Sequence, residues 1–278
     1  SGKEPILVLR DLRTEEYLGG SGAISRHLSS FSKNISLLTA VGEKGEYLTL
    51  IKKNLPKNVS FKYIKKSNSP TILKKRYLDD VTKSKVLGID TLNENMLSLS
   101  EEKKFNKILK KLLPKHDLVI VSDYGHGLIS KKNANLICKH SKYLALNAQV
   151  NAANIGFHSM RNYKNVNCVI INEREIRYEL RNKNVKLEIL MKKFSKEQNI
   201  KNLVVTRGDQ GSVFYNKKEN KFTLSEAYAK FAIDKIGAGD AMLSVIALCL
   251  KSGFNKELAL LIASLAGAQS VRTIGNKE

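Results

Sequence analysis

Short apolar segments alternate with amphipathic segments along most of this 278-residue chain. The apolar segments are rich in Val, Ile and Leu, a composition typical of strands that are buried on both faces. The predicted strands cover residues 35–41, 117–121, 143–146, 168–172 and 203–206, and the predicted helices cover residues 22–31, 47–54, 101–113, 131–141, 173–181 and 186–198. A strand followed by a helix, repeated in this way, predicts a three-layer α/β/α fold, in which helices cover both faces of a mainly parallel sheet.

Residues 60–90 break this alternation. Segments such as 71–78 have the half-exposed pattern of strands, with a turn near Asp79-Asp80. Together with the opening segment 5–10, they predict a small antiparallel sheet that lies over the mouth of the main sheet as a β lid. The chain has four prolines and no linker or internal repeat, so we predict a single domain over residues 1–278, with lid segments at about 5–20 and 60–92.

The composition argues against several classes of protein. No apolar run approaches the roughly 20 residues that span a bilayer, and no signal-peptide pattern is found, so we expect a cytoplasmic location and no membrane partner. The three cysteines are far apart in apolar surroundings, which favours buried free thiols over disulfides or a zinc site. The five histidines do not have the spacing of metal ligands.

The net charge of +22 raises the question of nucleic-acid binding. The lysines recur at helical spacing in segments 103–115 and 186–201, with Leu, Ile and Phe between them. This pattern is typical of the solvated outer face of a helix. We therefore expect no nucleic-acid partner and favour an acidic small molecule as ligand.

Gly237-Ala238-Gly239-Asp240 stands directly before the apolar run 241–250. Glycines let a phosphate approach the backbone, and the N–H groups that open the following helix then face that phosphate. Asp240 stands beside this site as a carboxylate able to accept the proton of an attacking hydroxyl, which suits phosphoryl transfer. Taken alone, the tetrapeptide also fits an ordinary turn with an Asp near a helix N-terminus.

Polar and glycine-rich segments follow three of the predicted strands. They are Ser122-Asp123-Tyr124-Gly125-His126-Gly127, Asn172-Glu173-Arg174-Glu175 and Thr206-Arg207-Gly208-Asp209-Gln210-Gly211. Each of them alone fits a plain loop. Because the carboxyl ends of parallel strands meet at one edge of a sheet, the three together predict a binding crevice at that edge.

The ordered set of motifs resembles the ribokinase, or PfkB, family of carbohydrate kinases. Gly19-Gly20 precedes an early helix, and Asn-x-x-Glu at 172–175, Thr-x-Gly-x-x-Gly at 206–211 and Asp-x-x-Gly-Ala-Gly-Asp at 234–240 follow in order. The resemblance implies a ribokinase-like fold and an enzyme that uses ATP and Mg²⁺. It further implies Asp240 as general base, Gly237, Ala238 and Gly239 as anion hole, Asn172 and Glu175 as organisers of phosphate and, indirectly, of Mg²⁺, Thr206, Gly208 and Gly211 as nucleotide contacts, and Gly19 and Gly20 as substrate contacts.

Within the family, the chain most closely resembles the heptose 7-phosphate kinases, which many bacteria fuse to a nucleotidyltransferase. Pro70-Thr71 with Lys74 and Arg76 resembles their Pro-Thr-x-x-Lys-x-Arg strand, and Ser122-Asp123-Tyr124 with Gly127 resembles their Ser-Asp-Tyr-x-x-Gly. The resemblance implies ATP-dependent phosphorylation of a sugar or sugar phosphate, such as heptose 7-phosphate at C1, with Lys74, Arg76 and Asp123 at the substrate. It also implies a homodimer formed through the lid and a longer polypeptide that carries a nucleotidyltransferase domain.

The sequence departs from this pattern in three places. Residues 147–151 stand where those kinases carry an Asp-Pro-Lys strand end, and Ala23 stands where an Asn is often found. The chain opens in lid-like sequence, so we expect the first strand of the family to be absent. Two alternatives stay open: a catalytically impaired module that binds a nucleotide or a sugar, and a nucleoside or vitamin kinase of the same superfamily. The sequence has no Gly-x-x-x-x-Gly-Lys-[Ser/Thr] motif, which argues against a P-loop NTPase.

Overall fold

The computed structural model describes residue 8 and residues 10–149, 159–229 and 231–275. The helices in these ranges are α1 Ser21–Ser29, α2 Leu48–Asn54, α3 Leu99–Leu112, α4 Lys131–His140, α5 Glu173–Glu179, α6 Leu187–Gln198, α7 Ala238–Lys251 and α8 Lys256–Ser270. The strands are β1 Ile35–Gly42, β2 Val59–Lys66, β3 Leu73–Leu78, β4 Lys85–Thr91, β5 Val119–Asp123, β6 Leu144–Ala148, β7 Cys168–Asn172, β8 Asn202–Thr206, β9 Ser212–Asn216 and β10 Lys221–Ser225.

A six-stranded sheet in the order β10-β9-β8-β7-β6-β5 forms the centre of the molecule. The strands from β5 to β8 are parallel, whereas β9 and β10 extend the sheet as an antiparallel edge. Successive parallel strands are neighbours, so their carboxyl ends line up along one edge of the sheet. The predicted mainly parallel sheet is confirmed.

Two apolar cores, one on each face, hold this sheet between helices. In β7, Val169 and Ile171 pack into the core that contains residues of α3, α4, α5 and α6. Cys168 and Ile170 point the other way, into the core with α1, α7 and α8. Both sets of side chains are buried, which explains why this strand is continuously apolar in the sequence. The three-layer α/β/α prediction is therefore confirmed.

Two smaller strand pairs lie outside this sheet. β1 and β2 are parallel, in register from Ile35↔Val59 to Gly42↔Lys66. β3 and β4 form an antiparallel hairpin that begins at the pair Leu73↔Thr91, and we call residues 73–91 the β3–β4 hairpin.

The prediction that residues 60–66 belong to the antiparallel lid is wrong, because this segment pairs in parallel with β1. Alternating burial identifies a half-exposed strand but does not specify its partner. Most of the predicted lid segment 5–10 lies outside the described residues. The role of the β3–β4 hairpin as a lid stays a prediction.

Several elements were not predicted from the sequence. These are the β9–β10 hairpin, which ends the sheet, and α8, which packs against α7. Predicted helix ends differ from the observed ones by one or two residues; α3, for example, begins at Leu99 because Ser98 and Glu101 form a capping box. Among the described residues, none of the helices is both long and apolar enough to cross a membrane.

Candidate active site

A cleft of about 2060 Å³ lies between the carboxyl ends of the central strands and the β3–β4 hairpin. Asn147, Asn172 and Thr206 line it from the ends of β6, β7 and β8, and Lys74 and Arg76 line it from β3. Ligands of open α/β sheets bind at this edge. The cleft therefore brings together the strand-end residues and the lid residues singled out in the sequence.

The start of α7 presents N–H groups with the geometry to bind an anion on one wall of the cleft. Gly237 caps the helix with φ of 88°, a left-handed conformation that glycine adopts without strain. The N–H groups of the first helical turn, at Ala238, Gly239 and Asp240, have no acceptor inside the helix. A Cβ on Gly239 would meet only Asn147 Nδ2, at 3.9 Å, so the backbone is open to a phosphate at this point.

Asp240 lies in the same helical turn, and two side-chain hydroxyls donate to its carboxylate. Tyr124 donates its hydroxyl to Oδ1 at 2.8 Å and to Oδ2 at 3.0 Å, and Ser122 Oγ lies 3.5 Å from Oδ1. Burial raises the pKa of the Asp240 carboxyl, and the hydrogen bonds from Tyr124 and Ser122 only partly offset that rise. A carboxylate of raised pKa beside an anion site has the chemistry of a general base.

Tyr124 lies between the Gly19-Gly20 turn and Asp240. A Cβ on Gly20, which caps α1, would lie 2.9 Å from Cε2 of the Tyr124 ring. The ring stacks with His126 at a centroid distance of 6.3 Å, and Lys74 Nζ lies 5.9 Å from the ring centroid. Burial, and next the charge of Asp240, raise the pKa of Tyr124 far above its ordinary value. Tyr124 is therefore a neutral hydrogen-bond donor to Asp240.

Hydrogen bonds from Asn172 link the ends of β7 and β8. Its Nδ2 donates to the carbonyl oxygen of Thr206 at 3.2 Å and lies 3.4 Å from Thr206 Oγ1. Asn172 Oδ1 accepts from the N–H of Arg174, and Glu175 Oε2 accepts from the N–H of Asn172 at 2.8 Å. These contacts form a capping box at the start of α5, and both Asn172 and Glu175 line the cleft.

Glu173 makes a second link between the start of α5 and the turn that follows β8. Its carboxylate accepts from Arg207 Nε at 2.8 Å and from Arg177 Nη2 at 2.7 Å. Burial alone would raise the pKa of Glu173, but the two arginines lower it below its ordinary value. The Thr206–Gly211 turn is thereby fixed to the start of α5.

The two glycines of this turn differ in their surroundings. A Cβ on Gly208 would meet nothing within 4 Å, so its backbone is open on the cleft side. Gly211 has φ of 75°, and a Cβ there would lie 2.0 Å from the carbonyl oxygen of Ser225. Gly208 is thus accessible to a ligand, whereas Gly211 is required by the close approach of β10.

The residues present fit a magnesium ion that is held mainly by phosphates. The described ranges contain no group of three His, Cys, Asp or Glu residues that could hold a metal alone. Mg²⁺ in phosphate chemistry uses one or two carboxylates together with substrate phosphates and water. Glu175 supplies a carboxylate at the cleft, next to the Asn172–Thr206 link.

Lys74 and Arg76 lie on the same strand two residues apart and both face the cleft. Arg76 Nη1 donates to Asp90 Oδ1 at 2.5 Å and to the carbonyl oxygen of Lys75 at 2.9 Å. The Arg76 hydrogen bond is the main cause that lowers the pKa of Asp90. Within the described part of the chain, Nε and Nη2 of Arg76 have no hydrogen-bond partner, so the guanidinium keeps donors for an anion.

The hairpin also contacts the phosphate-site motif directly. Lys85 Nζ donates to Asp234 Oδ1 at 2.5 Å, and Asp234 opens the motif that ends in Asp240. Burial would raise the pKa of Asp234, but Lys85 and the N–H groups of Ile236 and Gly275 lower it. This ion pair joins the hairpin to the backbone that leads into the anion site.

Asp123, predicted at the substrate, is not brought to the cleft. Its Oδ1 accepts from the N–H of Gly125 at 3.0 Å, and its Oδ2 accepts from the hydroxyl of Tyr163 at 2.7 Å. The side chain is buried beneath the strand-end loop. Because side chains alternate along a strand, Ser122 and Tyr124 point toward Asp240 while Asp123 points away.

Among the cleft residues with no role predicted from the sequence are Tyr124, His126, Asn147 and Lys85. Tyr124 and His126 lie in the strand-end segment that follows β5, so the argument that predicted a crevice at the strand ends applies to them as well. Asn147 was noted as a departure at the end of β6, and the strand-end argument applies to it equally. No local signal distinguishes Lys85, because its contact lies 149 residues away.

Comparison with known proteins identifies relatives of the whole chain. The profile of the pfkB family of carbohydrate kinases matches residues 2–278. The bifunctional protein HldE of a Nitratiruptor species is 23% identical over 279 residues, covering 99% of this chain and 57% of that protein. HldE of Koribacter versatilis (strain Ellin345) is 25% identical over 285 residues, covering 99% and 56%. The chain thus spans little more than half the length of these curated relatives.

Solved structures share the fold at low identity. Phosphofructokinase-2 from Escherichia coli, in complex with potassium, superposes with a TM-score of 0.76 at 14% identity, over 99% of this chain and 88% of that one. Ribokinase from Thermotoga maritima superposes with a TM-score of 0.70 at 21% identity, over 92% and 80%. The ribokinase-like fold predicted from the motifs is confirmed.

Proposed function

The chain belongs to the pfkB family of carbohydrate kinases, and on that premise we propose that it transfers the γ-phosphoryl group of ATP to a hydroxyl of a sugar phosphate. The observation that carries the proposal is the position of Asp240. Its carboxylate lies in the first turn of α7, beside the open backbone of Gly237–Gly239, and faces a cleft that Lys74 and Arg76 line from the other side. A base, an anion site and two cations surround one cavity.

Each part of this site has a chemical task. Asp240 accepts the proton of the acceptor hydroxyl as that oxygen attacks the γ-phosphorus. The N–H groups of Ala238 and Gly239 stabilise the negative charge on the transferred phosphoryl group. Mg²⁺, when bound, neutralises part of the charge on the nucleotide phosphates. Glu175 and Asn172 would organise that ion and the phosphates, and Thr206 and Gly208 would contact the nucleotide.

The acceptor is proposed to carry its own phosphate. Lys74 and Arg76 lie on one face of β3, and Arg76 retains Nε and Nη2 as donors. A guanidinium with free donors binds a phosphate through charge-assisted hydrogen bonds. Heptose 7-phosphate, phosphorylated at C1, is the narrowest form of the proposal, supported by the lid motif and by likeness to HldE proteins at 22–25% identity.

The two alternatives have less support. An impaired binding module would not need Asp240, Ser122 and Tyr124 in one hydrogen-bonded group at an open anion site. A nucleoside or vitamin kinase would not need two cations on the strand above the acceptor. A sugar-phosphate kinase uses both features.

The expected partners remain proposals. We propose a homodimer formed through the hairpin, because Val86, Leu87 and Ile89 of β4 are 43–50% exposed and an exposed strand edge pairs readily with a second copy. A nucleotidyltransferase domain in a longer polypeptide also remains a proposal, supported by the partial coverage of the relatives. The cytoplasmic location and the absence of a nucleic-acid partner stay predictions.

An ADP-release assay across phosphosugars and their dephosphorylated parents tests the proposal. We expect phosphosugars to be preferred over their dephosphorylated parents. Arg76→Ala should lower kcat/KM for phosphosugars by about 10- to 100-fold, because a charge-assisted contact contributes roughly 1.5–3 kcal/mol. Lys62→Ala, a change at an exposed lysine of β2, is the matched control and should have no effect. Equal turnover of free sugars or nucleosides would refute the sugar-phosphate assignment.

A further inference from the structure

One tyrosine bridges two parts of the cleft that lie on separate elements. The Tyr124 hydroxyl bonds both oxygens of Asp240, 116 residues further along the chain, while its ring contacts the position of Gly20. Asp240 is the proposed base, and Gly19-Gly20 is the turn expected to contact the sugar. Tyr124 therefore fills the space between the base and the sugar-contacting turn.

This hydroxyl lies at the distance from Asp240 that the reaction requires of the acceptor hydroxyl. A general base must lie within about 2.6–3.2 Å of the oxygen that it deprotonates. Tyr124 lies at 2.8 and 3.0 Å from the two oxygens of Asp240, so it faces the side of the carboxylate between them. The acceptor hydroxyl cannot take that same side of the carboxylate while Tyr124 remains there.

We propose that Tyr124 is a gate on the base: its hydroxyl holds the place of the acceptor hydroxyl at Asp240 and leaves that carboxylate when the acceptor binds. The inference rests on the proposed function, in that it takes Asp240 as the base for a hydroxyl acceptor. It adds that the acceptor competes with a side chain of the protein itself. Tyr124 thereby sets the affinity for the acceptor and not the rate of phosphoryl transfer.

Two charged or aromatic neighbours lie against the Tyr124 ring. His126 stacks beside it at 6.3 Å, and Lys74 approaches its face at 5.9 Å from the β3–β4 hairpin. Neither contact is a hydrogen bond to the ring. The hydroxyl, by contrast, is held by a charge-assisted bond, which is the interaction that an acceptor hydroxyl would replace.

Kinetics of Tyr124→Phe test the gate. The phenylalanine keeps the ring but has no bond to Asp240 to break, so we expect the acceptor KM to fall by about 3- to 10-fold with kcat retained. A fall in kcat with KM unchanged or raised would mean that Tyr124 stays on Asp240 and orients it, and would overturn the proposal. Tyr143→Phe is the matched control, because Tyr143 is a buried tyrosine whose hydroxyl has no hydrogen-bond partner among the described residues.

A spectroscopic test reports the displacement directly. The chain has ten tyrosines, so incorporation of 3-fluorotyrosine gives a small set of ¹⁹F resonances, and Tyr124→Phe identifies the one from Tyr124. Saturating acceptor, added without ATP, should shift that resonance and leave the Tyr143 resonance in place. An unshifted Tyr124 resonance at an acceptor concentration that saturates turnover would overturn the gate.

The acceptor used in both tests is whichever compound gives the highest kcat/KM in the ADP-release assay. If that compound is a free sugar or a nucleoside, the sugar-phosphate proposal fails, while the Tyr124 measurements still decide the gate. If it is a phosphosugar and the KM of Tyr124→Phe is unchanged, the gate fails and the proposed function stands. The sugar-phosphate proposal and the gate can therefore each be refuted without refuting the other.

Discussion

The two sides of the cleft are built in opposite ways. The strand-end side belongs to β6, β7 and β8, whose residues are mostly buried, and its polar groups are fixed by the bonds of Asn172 and Glu173. The hairpin side belongs to β3 and β4, and every residue of β4 is exposed. The groups proposed to carry out the chemistry lie on or beside the strand-end side, which we call the rigid side. The groups proposed to select the substrate lie on the hairpin side, which has few buried contacts.

This contrast leads to an expectation about mutations. A change to a proposed reacting group on the strand-end side should lower kcat. Tyr124→Phe is the exception on that side, because it removes the proposed competitor of the acceptor and not a reacting group. A change on the hairpin side should act mainly through KM, because that side is proposed to contact the acceptor. The predictions below test this division, beginning with the largest effect.

Asp240→Asn should lower kcat by about 100-fold or more, because an amide does not accept the acceptor proton. ATP affinity, measured by calorimetry, should be nearly unchanged, since Asp240 is not a proposed nucleotide contact. Asp117→Asn, at a carboxylate that is 77% exposed, is the control and should keep full activity. Near-normal kcat in Asp240→Asn would remove Asp240 from the role of base.

Lys85→Ala should lower kcat/KM about tenfold. The change removes the charge-assisted hydrogen bond that holds the hairpin to Asp234, whose side chain is 5% exposed. Such a bond contributes roughly 1.5–3 kcal/mol to keeping the hairpin over the proposed acceptor site, and kcat/KM should report part of that loss. Because Lys85 is the hairpin partner, most of the loss should lie in the acceptor KM. Lys83→Ala, which breaks an exposed pair with Asp80 on the same hairpin, should change little. A loss confined to kcat would contradict the division between the two sides.

Glu101→Gln should lower the free energy of unfolding, and of the variants proposed here it should have the smallest effect on activity. Glu101 joins the end of β2 to the start of α3 by accepting from Ser67 N at 2.6 Å, Ser67 Oγ at 2.7 Å and Ser98 N at 2.7 Å. Burial would raise the pKa of Glu101, but these hydrogen bonds lower it to about 2. The folded pKa lies below the unfolded one, so the contribution to stability is fully present above about pH 4.5 and is lost as the pH falls toward 2.

Urea unfolding at several pH values measures this contribution. We expect Glu101→Gln to cost about 1–3 kcal/mol at neutral pH, and the difference between variant and wild type to shrink on acidification through that window. Glu188→Gln, at an exposed carboxylate in the first turn of α6, is a comparison for the loss of charge alone. A difference that does not vary with pH would show that the Glu101 carboxylate is not the stabilising group.

Much of the rigid side could be predicted from the sequence. Strands such as β7 and β8 are buried on both faces, so their apolar composition is visible without knowledge of the partner strands. The polar segments at their ends then fall on one edge because the sheet is parallel. The grouping of Asn172 and Thr206 at one cleft followed from that reasoning, and the Gly237–Asp240 segment was added to it by the family resemblance.

The hairpin side was harder to predict because its contacts are not local. Residues 60–66 alternate like a lid strand, yet they pair with β1, and nothing in the alternation specifies that partner. The bond between Tyr124 and Asp240 joins residues 116 apart, and the Lys85–Asp234 pair joins residues 149 apart. The resemblance placed Asp123 at the substrate, but β5 extends to Asp123 and not only to the predicted residue 121. Side chains alternate along that extension, so Asp123 points away from the cleft.

The most direct test of the central claim is the ³¹P NMR spectrum of the products formed from Mg-ATP and heptose 7-phosphate. The proposed function predicts a second phosphate ester on the sugar, formed in equal amount to ADP by the wild-type chain, and no such signal with Asp240→Asn over the same time. ADP accompanied by inorganic phosphate, with the sugar phosphate unchanged, would contradict the claim. So would a sugar bisphosphate formed equally fast by Asp240→Asn.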